Sequence, residues 1–310
     1  MNVEEYFNRI YADYDRWFII PVLLFVLSLA VIGGQYAANG NVVDRGVVFS
    51  GGTEVTYNIQ EEFDTVQIEE IFASQGRPGT SALREETESG PILRVTVPPP
   101  QLENESVAES FLENNSIKNF NVDVQQFYFA TSAVAETFFI QAVWAFILAF
   151  TIMSLVIFTS FRDLVPAFAV VLAASADIIF TIAAMSLLDI PMTLGSLSAL
   201  LMLIGYSVDT DIVLSSRVLK QKRGSLRDRI WSSVKTGVTM SSGGIAAFTL
   251  LYFISMALVG PSELSAVASV MVIGLLADMP FTWFGNAFIL KKYVEGDFNV
   301  PDLREVIPWP

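Results

Sequence analysis

Two carboxylates stand inside a long apolar segment of this chain, and they are the residues whose type and position could do chemistry. Asp209 and Asp211 lie within 192–214, a run that is long enough for a membrane-spanning helix. A charge at membrane depth costs about 2.5–3.5 kcal/mol on insertion scales, so such residues are candidates for a functional site. Two residues apart is roughly 200° around a helix. One carboxylate can therefore face a bundle interior while the other faces a partner or a water-filled crevice.

Two more carboxylates lie in other apolar segments. Asp177 is inside 164–187, and Asp278 is inside 264–290, two residues before Pro280. A proline removes a backbone donor and favours a kink at which a water or an ion can bind. Carboxylates at such depth can form an ion relay. The alternative is a structural role in which they bond helix ends or hydroxyl groups.

Residue types that are absent narrow the chemistry further. The chain has no histidine and no cysteine. Disulfides, thiolate chemistry and soft-metal sites are therefore excluded. Any proton carrier must be a carboxylate, with a lysine as its available cation. We predict no metal site and no cofactor.

The elements that must position these carboxylates are membrane-spanning helices. Hydrophobic residues make up 53% of the 310 residues, and the mean hydropathy is +0.51. Six runs reach the roughly 20 residues that one crossing requires: 17–36, 138–158, 164–187, 192–214, 238–259 and 264–290. The first is predicted to be an uncleaved anchor, because its apolar core is too long for a signal peptide. We therefore predict a polytopic α-helical membrane protein.

Basic residues set the predicted orientation. The segment 215–237, between the fourth and fifth runs, holds seven lysines or arginines and one acid. The positive-inside rule makes it a cytoplasmic loop, so the N-terminal arm 1–16 and the C-terminal tail 291–310 are predicted to be cytoplasmic as well. The ready partner of this loop is anionic membrane lipid, and nothing favours nucleic acid. Lys235 is either a head-group anchor or a cation for the carboxylates.

The segment 37–137 is large enough for a separate extracytoplasmic domain. Its patterns predict a small α+β, ferredoxin-like fold with strand, helix, strand, helix and strand at 47–57, 65–74, 92–97, 102–112 and 120–127. Near its start, Gly51, Gly52 and Thr53 form a junction motif in which the glycines allow a tight turn. Sixteen acidic against five basic residues give a net charge of −11. Such a surface is typical of a protein from a salt-loving organism; a basic partner is the alternative.

Three motifs, in this order, resemble the SecF family of protein-export membrane proteins. They are Phe49-Ser50-Gly51-Gly52-Thr53-Glu54-Val55, Gly205 to Val213, and Lys235-Thr236-Gly237-Val238-Thr239. The resemblance covers nearly the whole chain, and Ser207-Val208-Asp209-Thr210-Asp211 is more similar to the archaeal branch than to the bacterial one. Bacterial members usually have Asn-Asp-Thr or Asn-Asp-Ser after Gly-Tyr-Ser. The position of their aspartate is therefore ambiguous between Asp209 and Asp211, and Lys235 stands where many of them have arginine.

The resemblance implies an RND-like half-bundle in the plasma membrane and an accessory function in the Sec preprotein translocase. In this interpretation the chain acts with SecD, a SecY-type channel and unfolded preprotein. An ion gradient, of H⁺ or Na⁺, is coupled to movement of the outer domain through a set of relay candidates: Asp209, Asp211, Lys235, Asp177 and Asp278.

Two other functional classes remain open. An RND-type exporter of small molecules or lipids would need a large substrate vestibule, for which a single small outer domain is a poor fit. An intramembrane aspartyl protease would carry a Gly-x-Gly-Asp motif, whereas this chain has Gly205-Tyr206-Ser207-Val208 before its aspartate. The resemblance therefore favours a transport subunit that is not an enzyme.

Overall fold

A computed structural model describes residues 3–58, 64–87, 90–99, 102–114, 123–161, 163–221, 223–258, 260 and 262–297. The elements are α1 (Val3–Ala12), α2 (Tyr14–Trp17), α3 (Ile19–Asn39), α4 (Val47–Ser50), β1 (Gly52–Asn58), α5 (Thr65–Ser74), β2 (Ser81–Thr87), β3 (Gly90–Val97), α6 (Glu105–Asn114), β4 (Asp123–Ala130), α7 (Ser132–Phe161), α8 (Leu164–Leu187), α9 (Leu194–Lys220), α10 (Leu226–Leu258), α11 (Glu263–Pro280), a π-helix (Phe281–Asn286) and α12 (Ala287–Glu295). Lys222 of the predicted loop, 120–122 of a predicted strand and 298–310 of the predicted tail lie outside the described residues.

Within the described residues, six helical stretches are long and apolar enough to cross a membrane, which confirms the predicted fold class. They are Tyr14–Asn39, Ser132–Phe161, Leu164–Leu187, Leu194–Lys220, Leu226–Leu258 and Glu263–Glu295. Several are longer than the apolar runs, because lysine, arginine and glutamate are good helix formers and extend a helix past its apolar part. Most of segment 215–237 is therefore helical, since α9 continues to Lys220 and α10 begins at Leu226.

The interior of the bundle is formed by α8, α9 and α11. Half or more of the most apolar window is buried in α8, in α9 and in the last span, which α11 begins. In the spans that contain α3, α7 and α10, most of that window is not buried within the chain. Small residues allow the helices to approach closely. The Leu203 side chain packs directly against Gly274, and a Cβ placed on Gly244 would lie 2.7 Å from the Tyr206 hydroxyl oxygen.

The domain between the first two spans, predicted above to be the outer domain, has four strands among its described residues, one more than the three predicted. Its sheet is antiparallel, with the order β2-β3-β1-β4, and the chain order β-α-β-β-α-β is that of a ferredoxin-like fold. Its core combines Val55, Tyr57 and Val95 of the sheet with Ile68 and Phe72 of α5. The missed strand, β2, lies at the edge of the sheet and is charged in its middle, as edge strands often are.

The junction between membrane and outer domain is made by the glycine motif. Residues 47–50 form the helical turn α4, not the predicted start of a strand, because Gly51 and Gly52 adopt φ values of 79° and 121° that end the turn. A Cβ on Gly51 would lie 2.9 Å from the Cα atom of Ser132, the first residue of α7. The buried Thr53 hydroxyl donates to the Leu102 carbonyl at 2.8 Å and accepts from the Leu102 N–H at 2.9 Å.

The last span changes its helical type in the middle. Pro280 ends α11, and residues Phe281–Asn286 continue as a π-helix before α12 begins. The predicted disturbance at Pro280 therefore takes the form of a wider helical turn. Single π-helical turns inside α-helices frequently occur at functional sites.

Candidate functional site

Three of the predicted carboxylates meet in the interior of the bundle. Asp177 lies on α8, Asp211 on α9 and Asp278 on α11, and each residue is 0% exposed. The three interior helices thus supply one carboxylate each. The described residues contain no group of three or more acidic side chains placed to hold one metal ion. The three carboxylates are instead connected through hydroxyl groups that lie between them.

Hydroxyl groups on α9 connect Asp177 with Asp278. Ser207 donates a hydrogen bond to Asp177 Oδ2. One turn further along the helix, Thr210 Oγ1 lies 2.8 Å from the carbonyl oxygen of Ser207 and 3.1 Å from Asp278 Oδ2. Ser241 of α10 donates to the same Asp278 oxygen at 3.4 Å. Asp278 is therefore surrounded by hydroxyl groups of two neighbouring helices.

The π-helix connects Asp278 with Asp211. Thr282 Oγ1 lies 2.9 Å from Asp211 Oδ1 and 3.0 Å from Asp278 Oδ1. Asn286 Nδ2 donates to the same Asp211 oxygen at 2.7 Å. Asp211 thus depends on two side chains of the π-helix for its hydrogen bonds.

The number of available hydrogens limits how these contacts can be satisfied. A threonine hydroxyl has one hydrogen to donate. Thr282 can donate to Asp211 or to Asp278, so both contacts are hydrogen bonds only when one of the carboxyl groups holds a proton and donates it to Thr282. The geometry therefore fits one proton shared between Asp211 and Asp278, and Thr282 can pass it by reversing its donor direction.

Among the described residues, no positive side chain pairs with these carboxylates. Three buried polar atoms of the cluster have no hydrogen-bond partner, namely Asp177 Oδ1, Asp211 Oδ2 and Asn286 Oδ1. An isolated buried charge is costly, and buried polar atoms normally find a partner or a water. The three carboxylates are therefore a candidate site for a bound proton or cation.

Asp209 and Lys235 lie outside this cluster. Asp209 is exposed on α9, and Lys235 is exposed on α10 with its ammonium 5.5 Å from the centre of the Trp231 ring. Both residues are described, and the structure shows no ion pair between Lys235 and either Asp209 or Asp211. The expectation of one inward and one outward carboxylate on this helix matches the positions of Asp211 and Asp209.

A different cation joins the two helices. Arg217 of α9 is partly buried and donates through Nη1 to the Ser232 carbonyl at 2.6 Å and to Thr236 Oγ1 at 2.9 Å, both on α10. These contacts tie the C-terminal end of α9 to the N-terminal end of α10. The side-chain contact that joins α9 and α10 here is made by Arg217, and not by an ion pair between Lys235 and Asp209 or Asp211.

The polar partners of the carboxylates were not predicted from the sequence. The carboxylates are contacted by four polar side chains: Ser207, Thr210, Thr282 and Asn286. Hydroxyl and amide residues are common in membrane helices, so their presence alone does not indicate a functional site. A signal was available in their spacing. Asp278, Thr282 and Asn286 are four residues apart, which places polar side chains on one face of an otherwise apolar helix.

Solved structures show where this fold occurs. The chain resembles the crystal structure of SecDF, a translocon-associated membrane protein from Thermus thermophilus, with a TM-score of 0.73 and 19% identity over 92% of this chain and 38% of that chain. A structure of SecDF in a super-membrane-facing form matches with a TM-score of 0.57 and 18% identity, over 90% of this chain and 38% of that one. The fold therefore corresponds to about two fifths of each SecDF chain.

Sequence comparisons show the family. The family model for "Protein export membrane protein SecD/SecF, C-terminal" matches residues 111–296. The chain is 34% identical over 290 residues to the protein-export membrane protein SecF of Methanothermobacter thermautotrophicus, covering 93% of this chain and 95% of that protein. It is 33% identical over 291 residues to SecF of Haloferax volcanii, covering 91% and 95%. The chain therefore belongs to the SecF family of protein-export membrane proteins.

Proposed function

We propose that this chain couples an ion gradient to protein export by loading and unloading ions at Asp177, Asp211 and Asp278. The observation that carries the proposal is the hydroxyl of Thr282, which lies within 3.0 Å of two buried carboxylates on different helices. No basic side chain of the described residues pairs with them. A bound ion is then the available means of relieving their repulsion.

Ion binding would change how closely the interior helices pack. With one proton present, Thr282 accepts from one carboxyl group and donates to the other, and α9 and α11 are held together. Without it, two like charges face one hydroxyl in a medium of low dielectric, which favours separation of the helices. Each ion that passes can therefore shift α9 relative to α11. Carboxylate and hydroxyl oxygens suit H⁺ and Na⁺ alike.

The outer end of α9 is connected to the entry of the outer domain. The Met192 N–H, two residues before α9, donates to the Asp44 carbonyl at 2.7 Å, and the Gly46 N–H donates to the Met192 carbonyl at 2.9 Å. Glu263, at the start of α11, accepts from the Thr193 hydroxyl at 2.7 Å. A shift of α9 against α11 would thus reach the segment that leads into α4 and β1.

We propose SecD as the partner in this movement. The matched SecDF chains are more than twice as long as the part that this chain covers, and a separate SecD would supply the rest. Lys235, an exposed side chain of α10, is then a candidate for its contact surface. The SecY-type channel, unfolded preprotein and membrane lipid complete the proposed partners, and both termini are proposed to be cytoplasmic because of the basic helix ends near 217–235.

Purification from native membranes tests the assembly, and one pair of variants tests the relay. A tagged chain is expected to co-purify with SecD. In cells that depend on the variant, Asp211→Asn should abolish stimulation of export while membrane insertion and SecD association persist, because asparagine keeps the size but cannot carry a proton. Asp209→Asn is the matched control from the same helix. Normal export in the Asp211→Asn strain would refute the relay.

A further inference from the structure

The described part of the N-terminal arm, residues 3–16, packs against one end of the bundle. The Phe7 ring stacks on the Trp231 ring with centroids 4.6 Å apart. Arg227, near the start of α10, pairs with Glu4 at 3.0 Å and donates to Asn8 Oδ1 at 2.7 Å. The arm is therefore attached to the cytoplasmic end of α10.

The arm also reaches the π-helix. Tyr14 is 1% exposed and packs in the cluster formed by the cytoplasmic ends of α9 and the last span, with Leu214, Ala287 and Leu290 among its members. Its hydroxyl donates to the main-chain carbonyl of Trp283 at 2.9 Å. Trp283 lies directly after Thr282 and three residues before Asn286, the two residues that donate to Asp211.

A hydrogen bond from a side chain to the main chain of a π-helix can stabilise its geometry. The turn is wider than an α-helical turn, and side chains inserted into a helical ladder are a recognised cause of such distortions. Here the donor comes from another helix and is almost fully buried. If the Trp283 carbonyl lost this donor, the turn could relax, and Thr282 and Asn286 would move relative to the carboxylate that they contact.

We propose that Tyr14 is a positioning residue for the carboxylate site: its hydrogen bond to the Trp283 carbonyl holds the π-helix in the shape that presents Thr282 and Asn286 to Asp211. This inference rests on the proposed function for its consequence in export, but its structural part can be measured separately. The same hydrogen bond connects the arm, and through Arg227 the end of α10, with the relay.

The test measures the infrared spectrum of the full chain purified together with SecD. The band of Asp211 is identified as the carboxyl or carboxylate stretch that disappears in the Asp211→Asn variant. Tyr14→Phe deletes one oxygen atom and should shift that band, because the donors to Asp211 move. Export stimulation should fall by about two- to tenfold, the range that loss of one intramolecular hydrogen bond produces.

Two variants of the same arm serve as controls. Tyr6→Phe removes a hydroxyl from an exposed residue, and Ile10→Ala loosens the packing of the arm without touching the Trp283 carbonyl. The band should stay in place in both, even if Ile10→Ala melts earlier. An unshifted band in Tyr14→Phe, or an equal shift in Ile10→Ala, would overturn the inference. Normal export in Asp211→Asn, by contrast, would refute the relay and leave a shifted band in Tyr14→Phe unaffected.

Discussion

Asp211 and Asp278, on different helices of the bundle, contact the same hydroxyl group, that of Thr282, at 2.9 and 3.0 Å. The single hydrogen of that hydroxyl cannot serve two ionised carboxylates at once. Both contacts can therefore be hydrogen bonds at the same time only when one of the two carboxyl groups is protonated. Both the proposed ion coupling and its tests follow from this arrangement.

The Thr282 hydroxyl should be essential while its methyl group should not. Thr282→Val keeps the shape but removes the bridging oxygen, so two buried carboxylates lose a shared partner, and we expect at least a tenfold loss of export stimulation. Thr282→Ser keeps the oxygen and should retain most activity. Comparable activity of the valine and serine variants, with equal amounts of protein in the membrane, would show that the bridge does not matter.

A substitution at Met192 should uncouple export stimulation from ion flux. Met192→Pro removes the N–H that donates to the Asp44 carbonyl, so the end of α9 loses a connection to the outer domain. We expect ion flux to continue while export stimulation is lost. Met192→Ala keeps the N–H and should keep both activities. If the proline variant lost flux and export together, the contact would be part of the bundle's integrity rather than of transmission.

Close packing around the site predicts opposite effects for two glycines of α10. A Cβ on Gly237 would overlap the Trp283 ring, whereas a Cβ on Gly243 meets nothing within 4 Å. Gly237→Ala should therefore lower the stability by about 1–3 kcal/mol through overpacking. Gly243→Ala should raise it by up to about 1 kcal/mol through helix propensity. Thermal melting of the purified variants measures both, and a Gly237→Ala protein as stable as the wild type would contradict the packing described here.

The pH dependence of stability should carry a contribution from the outer domain. Glu54 lines a cavity of about 670 Å³ between the sheet and the C-terminal part of α10 and the N-terminal part of α11. Burial raises the pKa of its carboxyl above the ordinary 4.5; the Arg94 guanidinium, 3.5 Å away, opposes this and Glu263 adds to it. A raised pKa in the folded state stabilises the protein below about pH 4.5, and the contribution is lost as the pH rises through the raised pKa.

Glu54→Gln removes this titration. Between about pH 4 and pH 7, the melting temperature of the wild type should therefore fall relative to that of the variant. The other acidic residues titrate in both proteins, so their difference isolates Glu54. Parallel curves over the whole range would mean that Glu54 has the same pKa in the folded and unfolded chain.

The sequence predicted the parts of this fold that depend on length and hydrophobicity. Each of the six apolar runs corresponds to one of the six spans. The aspartates inside these runs could be recognised because charged residues are rare there. The choice between Asp209 and Asp211 could not be made, since a helix presents both sides equally until its neighbours are known. Packing of α9 against α8 and α11 buries Asp211 and leaves Asp209 exposed.

Other features depend on contacts between distant segments. The bridge through Thr282 joins residues 71 positions apart, and the bond from Tyr14 to Trp283 spans 269 positions. No local pattern encodes such pairings. Strand β2 was missed for a different reason: its charged residues interrupt the apolar alternation, which is tolerated at a sheet edge.

Ion flux is the most direct measurement of the central claim. The chain and SecD, reconstituted together in liposomes with H⁺- and Na⁺-sensitive dyes, should pass one of the two ions down an imposed gradient. The account predicts that Asp211→Asn abolishes this flux and that Asp209→Asn, from the exposed side of the same helix, retains most of it. Equal flux in the wild type and the Asp211→Asn protein would contradict the account.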